Sequence, residues 1–482
     1  MPINQYDDKN KPVPRQMFGR KVIYTSKTEI TMENIAEVLE DAMQTHEKNA
    51  DDTRYLWNYY KGKQPILDRV KSVRPEICHK VVENHANEAV SFYEGYICGE
   101  PIQYVPRSEV EETGSKISAL NEMMFAEDKA PQDQEIVEWG LVCGTAYRMV
   151  LPDTAYESET DESPFEMYTL DPRFTFVVYS AGIGHKPMMA GTYYKDGDYK
   201  KYTIYTEDLC YRMTDRVVDY VEPNPLGMIP IIEYPANKAR LGVFEVVLPL
   251  LDTINDIESN RMDGVEQTVQ AFIKFINCDI TAEDFEALRE MGAIKVSSTE
   301  GKQADVDVVT NELNQSQTQT LKDDCYDAFL TITGMPNRNG GSSTSDTGSA
   351  VLLRDGWASA EARAKAYEHM FKRSEKNMLK IVLKILRDAA GVDLMLKDID
   401  MKFTRRNYEN IQSKAQVLVS MLQQPKIAPL LAFEHCGMFS DPESAYQMSN
   451  AYYEESLAKW NPIEEVTDDE DGVTDESVSE DR

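Results

Sequence analysis

The sequence has seven cysteines and no CxxC pair among them. They are odd in number and scattered (Cys78, Cys98, Cys143, Cys210, Cys278, Cys325 and Cys436). That argues against a zinc ribbon or a secreted disulfide framework and points to a reducing compartment. A surplus of positive charge is also missing: 51 Lys+Arg stand against 83 Asp+Glu, a formal net charge of −32. Proteins that grip a nucleic-acid backbone draw most of their affinity from cations that displace counterions. This chain repels DNA on average, which does not exclude DNA as something it lets past. No apolar run is long enough to cross a membrane. The most apolar helix candidate, "GVFEVVLPLLDTI", is short and broken by Glu245 and Pro249. The opening residues, "MPINQYDDKNKPVPRQ", lack the apolar core of a signal peptide.

Organised catalytic chemistry is absent as well. The six histidines (His46, His79, His85, His185, His369 and His435) form no HExxH or other ligand spacing, and no GxSxG elbow occurs. Adjacent His435 and Cys436 could hold a metal only with distant partners, so a locally packed pair is the simpler reading. A Ser/His/Asp triad built from distant residues stays open in principle, but nothing points to one. The segment "GMPNRNGGSSTSDTGSA" imitates a phosphate loop. Its glycines have the wrong spacing, it carries no lysine, and it follows a helix rather than a strand. "AGIGHKP", Ala181 to Pro187, lacks the third glycine of a dinucleotide fingerprint and reads as a turn between strands. "TDDEDGVTDESV" imitates a calcium loop through Asp469, Asp471 and Gly472, but its first and twelfth positions are Thr467 and Val478. No catalytic residue, metal or cofactor is expected.

What is present is mostly helical, and 41% hydrophobic residues suffice for packed cores. "TMENIAEVLEDAMQTHEKN", Thr31 to Asn49, predicts an amphipathic helix with Ile35, Val38, Leu39 and Ala42 on one face and Thr31 as N-cap. "VVENHANEAVSFYEGYI" predicts another, ending near Gly95 to Gly99. From Ala146 to Pro235 short β-branched and aromatic segments alternate with turns such as "KDGD", a β-rich module within a helical protein. A helix is expected over Val243 to Asn277, spanning about 50 Å, with Pro249 kinking its first turns. A short helix, "AEDFEALREMG", and strand-like "AIKVSS" and "DVDVV" follow, then a helix over Ser316 to Gly334.

Another long helix is predicted over Ala358 to Ala390. At 100° per residue, Met378, Val382, Ile385, Leu386 and Ala389 share the side of Phe371, while Lys372, Arg373, Lys376, Lys380, Lys384 and Arg387 form a basic stripe opposite. That stripe is a solvated face, a seam against an acidic neighbouring subunit, or a nucleic-acid contact. Asn407 to Trp460 predicts a small helical cluster. Residues 463–482 are acidic and poor in apolar residues, so a disordered tail is expected.

Several segments, weak singly but ordered along the chain, carry a resemblance. They are "YLWNYYKGKQPILDR", "NHANEAVSFYEGYICGEPIQY", "GLVCGTAYRMV", "LDPRFTFVVYS", "NPLGMIPIIEY", "LLDTINDIESN" and "TGMPNRN" with "DTGSAVLL". From about Tyr55 to Tyr453 the chain resembles the portal proteins of tailed bacteriophages, of the type found in siphophages of Gram-positive hosts. One departure is "QPKIAPLLAFEHCG", where such proteins often have a serine-led turn.

The resemblance implies an α+β, mainly helical portal fold with long stem and wing helices, a β-rich wing module and a small α/β clip, assembled as a ring. It implies N-terminal helices and wing over 1–242, stem helices at 243–278 and 316–334, and the clip at 279–315. A tunnel loop at 335–353, a long wing helix at 354–400, a helical crown at 401–462 and the tail complete it. The tunnel-loop residues expected to face DNA are Arg338, Asn339, Gly340, Gly341, Ser342, Ser343, Thr344, Ser345 and Asp346. The implied role is a head-to-tail connector at one capsid vertex, made in the host cytoplasm and carried in the virion. Double-stranded DNA would pass through it in packaging and ejection. Its implied partners are itself as a twelve-membered ring, the terminase large subunit, a head–tail adaptor, and the capsid and scaffolding proteins, with no membrane. Competing readings are a nucleotide-binding enzyme using the Gly340 to Ser349 loop, and another head–tail structural protein.

Overall fold

The computed structural model describes residues 17–107, 111–157, 161–269, 272–276, 278–279, 297–298, 305–309, 315–337, 356–405, 411–436, 438–439 and 442–460. The chain divides into two compact units, residues 1–406 and 407–482. Among the described residues the fold is mixed α+β with more helix than strand.

The first unit opens with β1 (Ile23–Thr25), α1 (Ile35–Tyr60), α2 (His85–Cys98), β2 (Gln103–Pro106), α3 (Glu111–Ala126) and α4 (Lys129–Cys143). The β-rich part follows as β3 (Thr145–Pro152), β4 (Phe165–Leu170), β5 (Thr175–Ser180), β6 (Pro187–Asp196), β7 (Tyr199–Tyr205), β8 (Leu209–Thr214), β9 (Val217–Pro223) and β10 (Ile231–Pro235). Then come α5 (Leu248–Val269), β11 (Phe272–Ile276), β12 (Cys278–Asp279), β13 (Ser297–Ser298), β14 (Asp305–Val309), α6 (Gln315–Thr333), α7 (Trp357–Ala390) and β15 (Ile399–Lys402). The second unit contains α8 (Ile411–Leu422), α9 (Pro429–Cys436) and α10 (Pro442–Trp460), with Phe433 ringed by Phe439 and Tyr446.

The β-rich reading of Ala146 to Pro235 holds. A six-stranded sheet runs β1-β5-β6-β7-β8-β9, and a three-stranded sheet runs β10-β3-β4. The larger sheet is antiparallel except for β1, which lies parallel to β5 with Ile23 opposite Val178. One face of that sheet (Phe176, Val178, Met189 and Tyr202 among others) is covered by the apolar stripe of α1, including Ile35, Val38, Leu39 and Ala42. "AGIGHKP" is the turn between β5 and β6, as its glycines suggested.

Helix α1 begins later and ends later than its sequence implied. Thr31 contributes its carbonyl, not its hydroxyl, accepting from Asn34 and Ile35. Asn34 is the N-cap, and its side chain accepts from the Thr31 N–H. Asn49 looked like a stop, but its amide is spent on the Lys21 backbone, donating at 2.8 Å and accepting at 2.9 Å. The helix therefore continues to Tyr60, burying Tyr55, Leu56 and Tyr59.

The helix expected over Val243 to Asn277 is corrected too. Helical structure starts as a tight turn at Glu245–Val247, and α5 runs only to Val269, about 33 Å. Pro249 sits in the first turn, where a missing N–H costs nothing, so it starts the helix rather than kinking it. Beyond it, "FIKFI" alternates apolar, aromatic and lysine residues and forms β11, antiparallel to β14 with Lys274 opposite Asp307. β12 pairs with β13. "AEDFEALREMG" lies outside the described residues.

Helix α7 matches its expected limits and is capped at both ends by left-handed glycines, Gly356 and Gly391. Phe371, Met378, Val382, Ile385 and Leu386 are buried as expected, whereas Ala389, near the exposed end, is not. Leu379, Ile381 and Leu383 are buried as well, so the buried arc is wider than one stripe.

Candidate functional site

The motif "LLDTINDIESN" lies on α5 and turns one row of polar side chains toward the extended segment before α2. Asp263, Ser259 and Asn255 accept from the backbone N–H groups of His79 (2.7 Å), Val81 (2.9 Å) and Glu83 (2.8 Å). Two residues of extended chain rise about 6.6 Å and four residues of helix about 6.0 Å, so the two ladders stay in step. Each buried side chain satisfies an N–H that would otherwise be an orphan. Tyr59 at the end of α1 donates to Asp252 at 2.9 Å, one turn earlier on the same row. Burial raises the Asp252 carboxyl from 3.8 to about 6, with the charge of Asp256 adding to the effect. At the other end Lys71 and Arg69 reach Asp263 at 2.9 and 3.2 Å.

A second junction ties α6 to α5 and α2. Lys322 on α6 bridges Glu83 at 2.6 Å and Glu258 on α5 at 2.9 Å. His85, at the start of α2, lies between Glu83 (3.0 Å) and Glu88 (2.8 Å). Burial opposes a charged imidazole there, but the two carboxylates outweigh it and raise His85 to about 9. Tyr326 donates to Glu88 at 2.9 Å, and Tyr93 donates to the Thr333 carbonyl at 2.9 Å. Helices α5 and α6 are thus held side by side by polar contacts as well as by packing. Their uncovered sides carry Asp256 on α5 and Asp323, Asp324 and Asp327 on α6, with no cation bridged to any of the four among the described residues. Asp323 and Asp327 accept only from the neutral amides of Gln319 and Asn337.

The end of α6 and the start of α7 come together. Gly356 lies so close to Met335 and Pro336 that a Cβ on it would sit 3.7 Å from each. Arg363 on α7 donates to the Ile332 carbonyl at 2.6 Å. The intervening segment therefore leaves and returns at one point. Its predicted DNA-facing residues, Arg338 to Asp346, lie outside the described residues, as do the calcium-like tail motif and most of 279–315.

A buried ionic cluster that the sequence reading missed lies between α4, β3 and α7. Arg148 on β3 contacts Asp133 on α4 at 2.7 Å and Glu375 on α7 at 3.4 Å, and Lys129 reaches both Asp133 and Glu375. Tyr104 and Tyr234 each donate to Glu375 at 2.6 Å. Two cations and two carboxylates balance, and none reaches solvent appreciably. Burial disfavours the Glu375 carboxylate, but Lys129 and Arg148 overcome it and hold the group well below the usual range. The available signal was a charge in an apolar run: Arg148 within "AYRMVLP", and Glu375 on the buried side of the two-faced helix.

Among the described residues no cluster of His, Cys, Asp or Glu could hold a metal, and no helix is long and apolar enough to cross a membrane. Cys436 packs locally, its thiol on the Phe433 carbonyl at 3.2 Å.

The class is given by comparison: the chain matches a family of structural phage proteins, not an enzyme family. Residues 40–466 match the family described as phage portal protein, SPP1 Gp6-like, and the chain belongs to that family. No curated protein matches the chain.

Proposed function

We propose that the protein assembles as a ring at one capsid vertex and forms the channel through which double-stranded DNA enters during packaging and leaves during ejection. The β-rich part and its surrounding helices act as the wing. Helices α5 and α6 act as the stem, the β11–β14 and β12–β13 ladders belong to the clip, and α8 to α10 form the crown. The clip docks the terminase large subunit and later the head–tail adaptor, while capsid and scaffolding proteins hold the rim. Terminase supplies the ATP hydrolysis.

One observation carries the conduit reading: the paired helices α5 and α6 leave Asp256, Asp323, Asp324 and Asp327 uncovered and unbridged. A wall rich in lysine would hold duplex DNA by counterion release. Carboxylates repel the phosphates and let the polymer slide. The segment 338–355, anchored at one point between Asn337 and Gly356, serves as a tunnel loop. Its glycines and small hydroxyl residues follow the DNA surface without gripping it.

Electron microscopy of the purified protein tests the proposal. The expected result is rings with a central hole wide enough for a DNA duplex. A monomer under every salt condition, or tight duplex binding at physiological salt, overturns it.

A further inference from the structure

Helix α7 carries a row of cations that the described residues leave unmatched by carboxylates. Ala366, Arg373, Lys380 and Arg387 recur at seven-residue intervals, and Lys376 and Lys384 fall within about 60° of the same line. Arg373, Lys376, Lys380 and Arg387 are exposed, and no carboxylate bridges any of them among the described residues. Lys380 meets only the Asn377 amide, and Lys384 donates to the Leu226 carbonyl. From Arg373 to Arg387 the row is about 21 Å long. Exposed cations without an ionic partner occur elsewhere on this unit, among them Lys48, Lys63, Lys195 and Lys238, but among the described residues no other helix lines up four of them. Lys365, at the near end of α7, is bridged to Glu361.

We propose that this row is a subunit seam, occupied by a carboxylate-bearing face of a second copy of this chain; the inference rests on the ring reading above. Copies that each carry a net charge of −32 repel one another at long range. Association therefore requires contacts where charge is locally opposite, and outside this row each copy has carboxylates in excess. The seven-residue recurrence keeps these cations on one line along the helix, where a single neighbouring face can meet them all. Ala362 and Ala366, exposed at its near end, permit the close approach that another packed element needs and that phosphates would not use. Contact between this basic face and a different, acidic face of the next copy is heterologous, the type of contact that closes into rings.

The test reverses three charges together, Arg373→Glu, Lys376→Glu and Lys380→Glu, in the full chain. None of the three is bridged to a carboxylate among the described residues, so the melting temperature of the subunit is expected to stay within a few degrees of wild type. The concentration needed for half-assembly, read by mass photometry, is expected to rise at least tenfold. The milder Lys376→Gln with Lys380→Gln shifts it the same way, and added salt weakens wild-type assembly. Carbodiimide coupling of mixed ¹⁴N- and ¹⁵N-labelled rings is expected to link Lys376 or Lys380 to a carboxylate of the other isotope. Unchanged assembly of the reversed variant, with no such links, overturns the seam while leaving the ring reading intact. Normal rings that lose only DNA retention assign the row to DNA and overturn it equally. A wild-type chain that never associates overturns the ring reading and the seam with it.

Discussion

The guanidinium of Arg148 meets the carboxylate of Asp133 at 2.7 Å in a place where neither side chain reaches water. With Lys129 and Glu375 it joins α4, β3 and α7 through charge as well as apolar contact. Removing one member leaves the others buried and unbalanced, which costs about 3–5 kcal/mol. Arg148→Met is therefore expected to lower the urea midpoint sharply, and Glu375→Gln to do so less, because the amide oxygen still accepts from one tyrosine and its NH2 can donate to the hydroxyl oxygen of the other. The pH dependence has a fixed sign. Glu375 is held below its ordinary 4.5, so its contribution is present above that pH and is lost as pH falls through the folded value. Acid unfolding of Glu375→Gln is expected to be shallower than that of wild type.

The ladder between α5 and the extended segment gives a local prediction. Ser259→Ala leaves the Val81 N–H without its acceptor, at a cost of about 1–3 kcal/mol. Hydrogen exchange at residues 79–83 is expected to speed up while the β-rich sheet stays protected. Equal acceleration in both regions would show that the ladder is not a separate brace.

His85 predicts an alkaline loss of stability. Its folded value is raised from 6.5 to about 9, so its contribution is complete below 6.5 and disappears as pH rises through 9. Allowing for partial solvent screening, the loss is about 1–2 kcal/mol. His85→Gln is expected to flatten the thermal stability between pH 6.5 and 9.5, which differential scanning calorimetry measures directly.

Much of the architecture was legible because it depends on local pattern. The apolar stripe of α1, the alternating strands and both ends of α7 all follow from residue spacing. What was missed depends on partners far along the chain. Asn49 reads as a helix stop until Lys21 is seen to occupy its amide, and "FIKFI" reads as a helix end until β14 arrives opposite it. Arg148 and Glu375 lie 227 residues apart, so no window could match them. Of the α5 ladder, Asn255 and Ser259 stood out only within a motif of the family resemblance and Asp263 not at all; their hydrogen bonds supply a physical reason for them. The DNA-facing loop was read from that resemblance alone.

Gly144 gives a prediction about backbone fit. It joins α4 to β3 with φ at +79°, and a Cβ there would run into the Arg240 carbonyl. Gly144→Ala combines a disfavoured conformation with an overlap against backbone, which cannot swing aside. Soluble yield and melting temperature are both expected to fall. Wild-type values for both would mean that the 240–242 turn moves freely.

If the segment between Asn337 and Gly356 follows passing DNA, deleting Gly340 to Thr344 is expected to spare ring formation and impair packaging. An in vitro packaging assay with purified terminase reads the second property, and electron microscopy the first. Unimpaired packaging by such rings would remove the loop from the mechanism.

The parallel strand β1 carries a consequence for synthesis. Its partner β5 begins at Thr175, and the residues just before β1 are fixed by Arg240 and Glu245: Arg20 donates its N–H to the Arg240 carbonyl, and Gly19 donates to Glu245. β5 comes about 150 residues after β1 in the chain, and Arg240 and Glu245 more than 200 residues after it. At ribosomal speeds the start of the chain waits on the order of ten seconds or more before it can be placed. Strand β1 is thus sealed only after a long following stretch has been made, and the sheet edge on β5 stands open in the nascent protein until then.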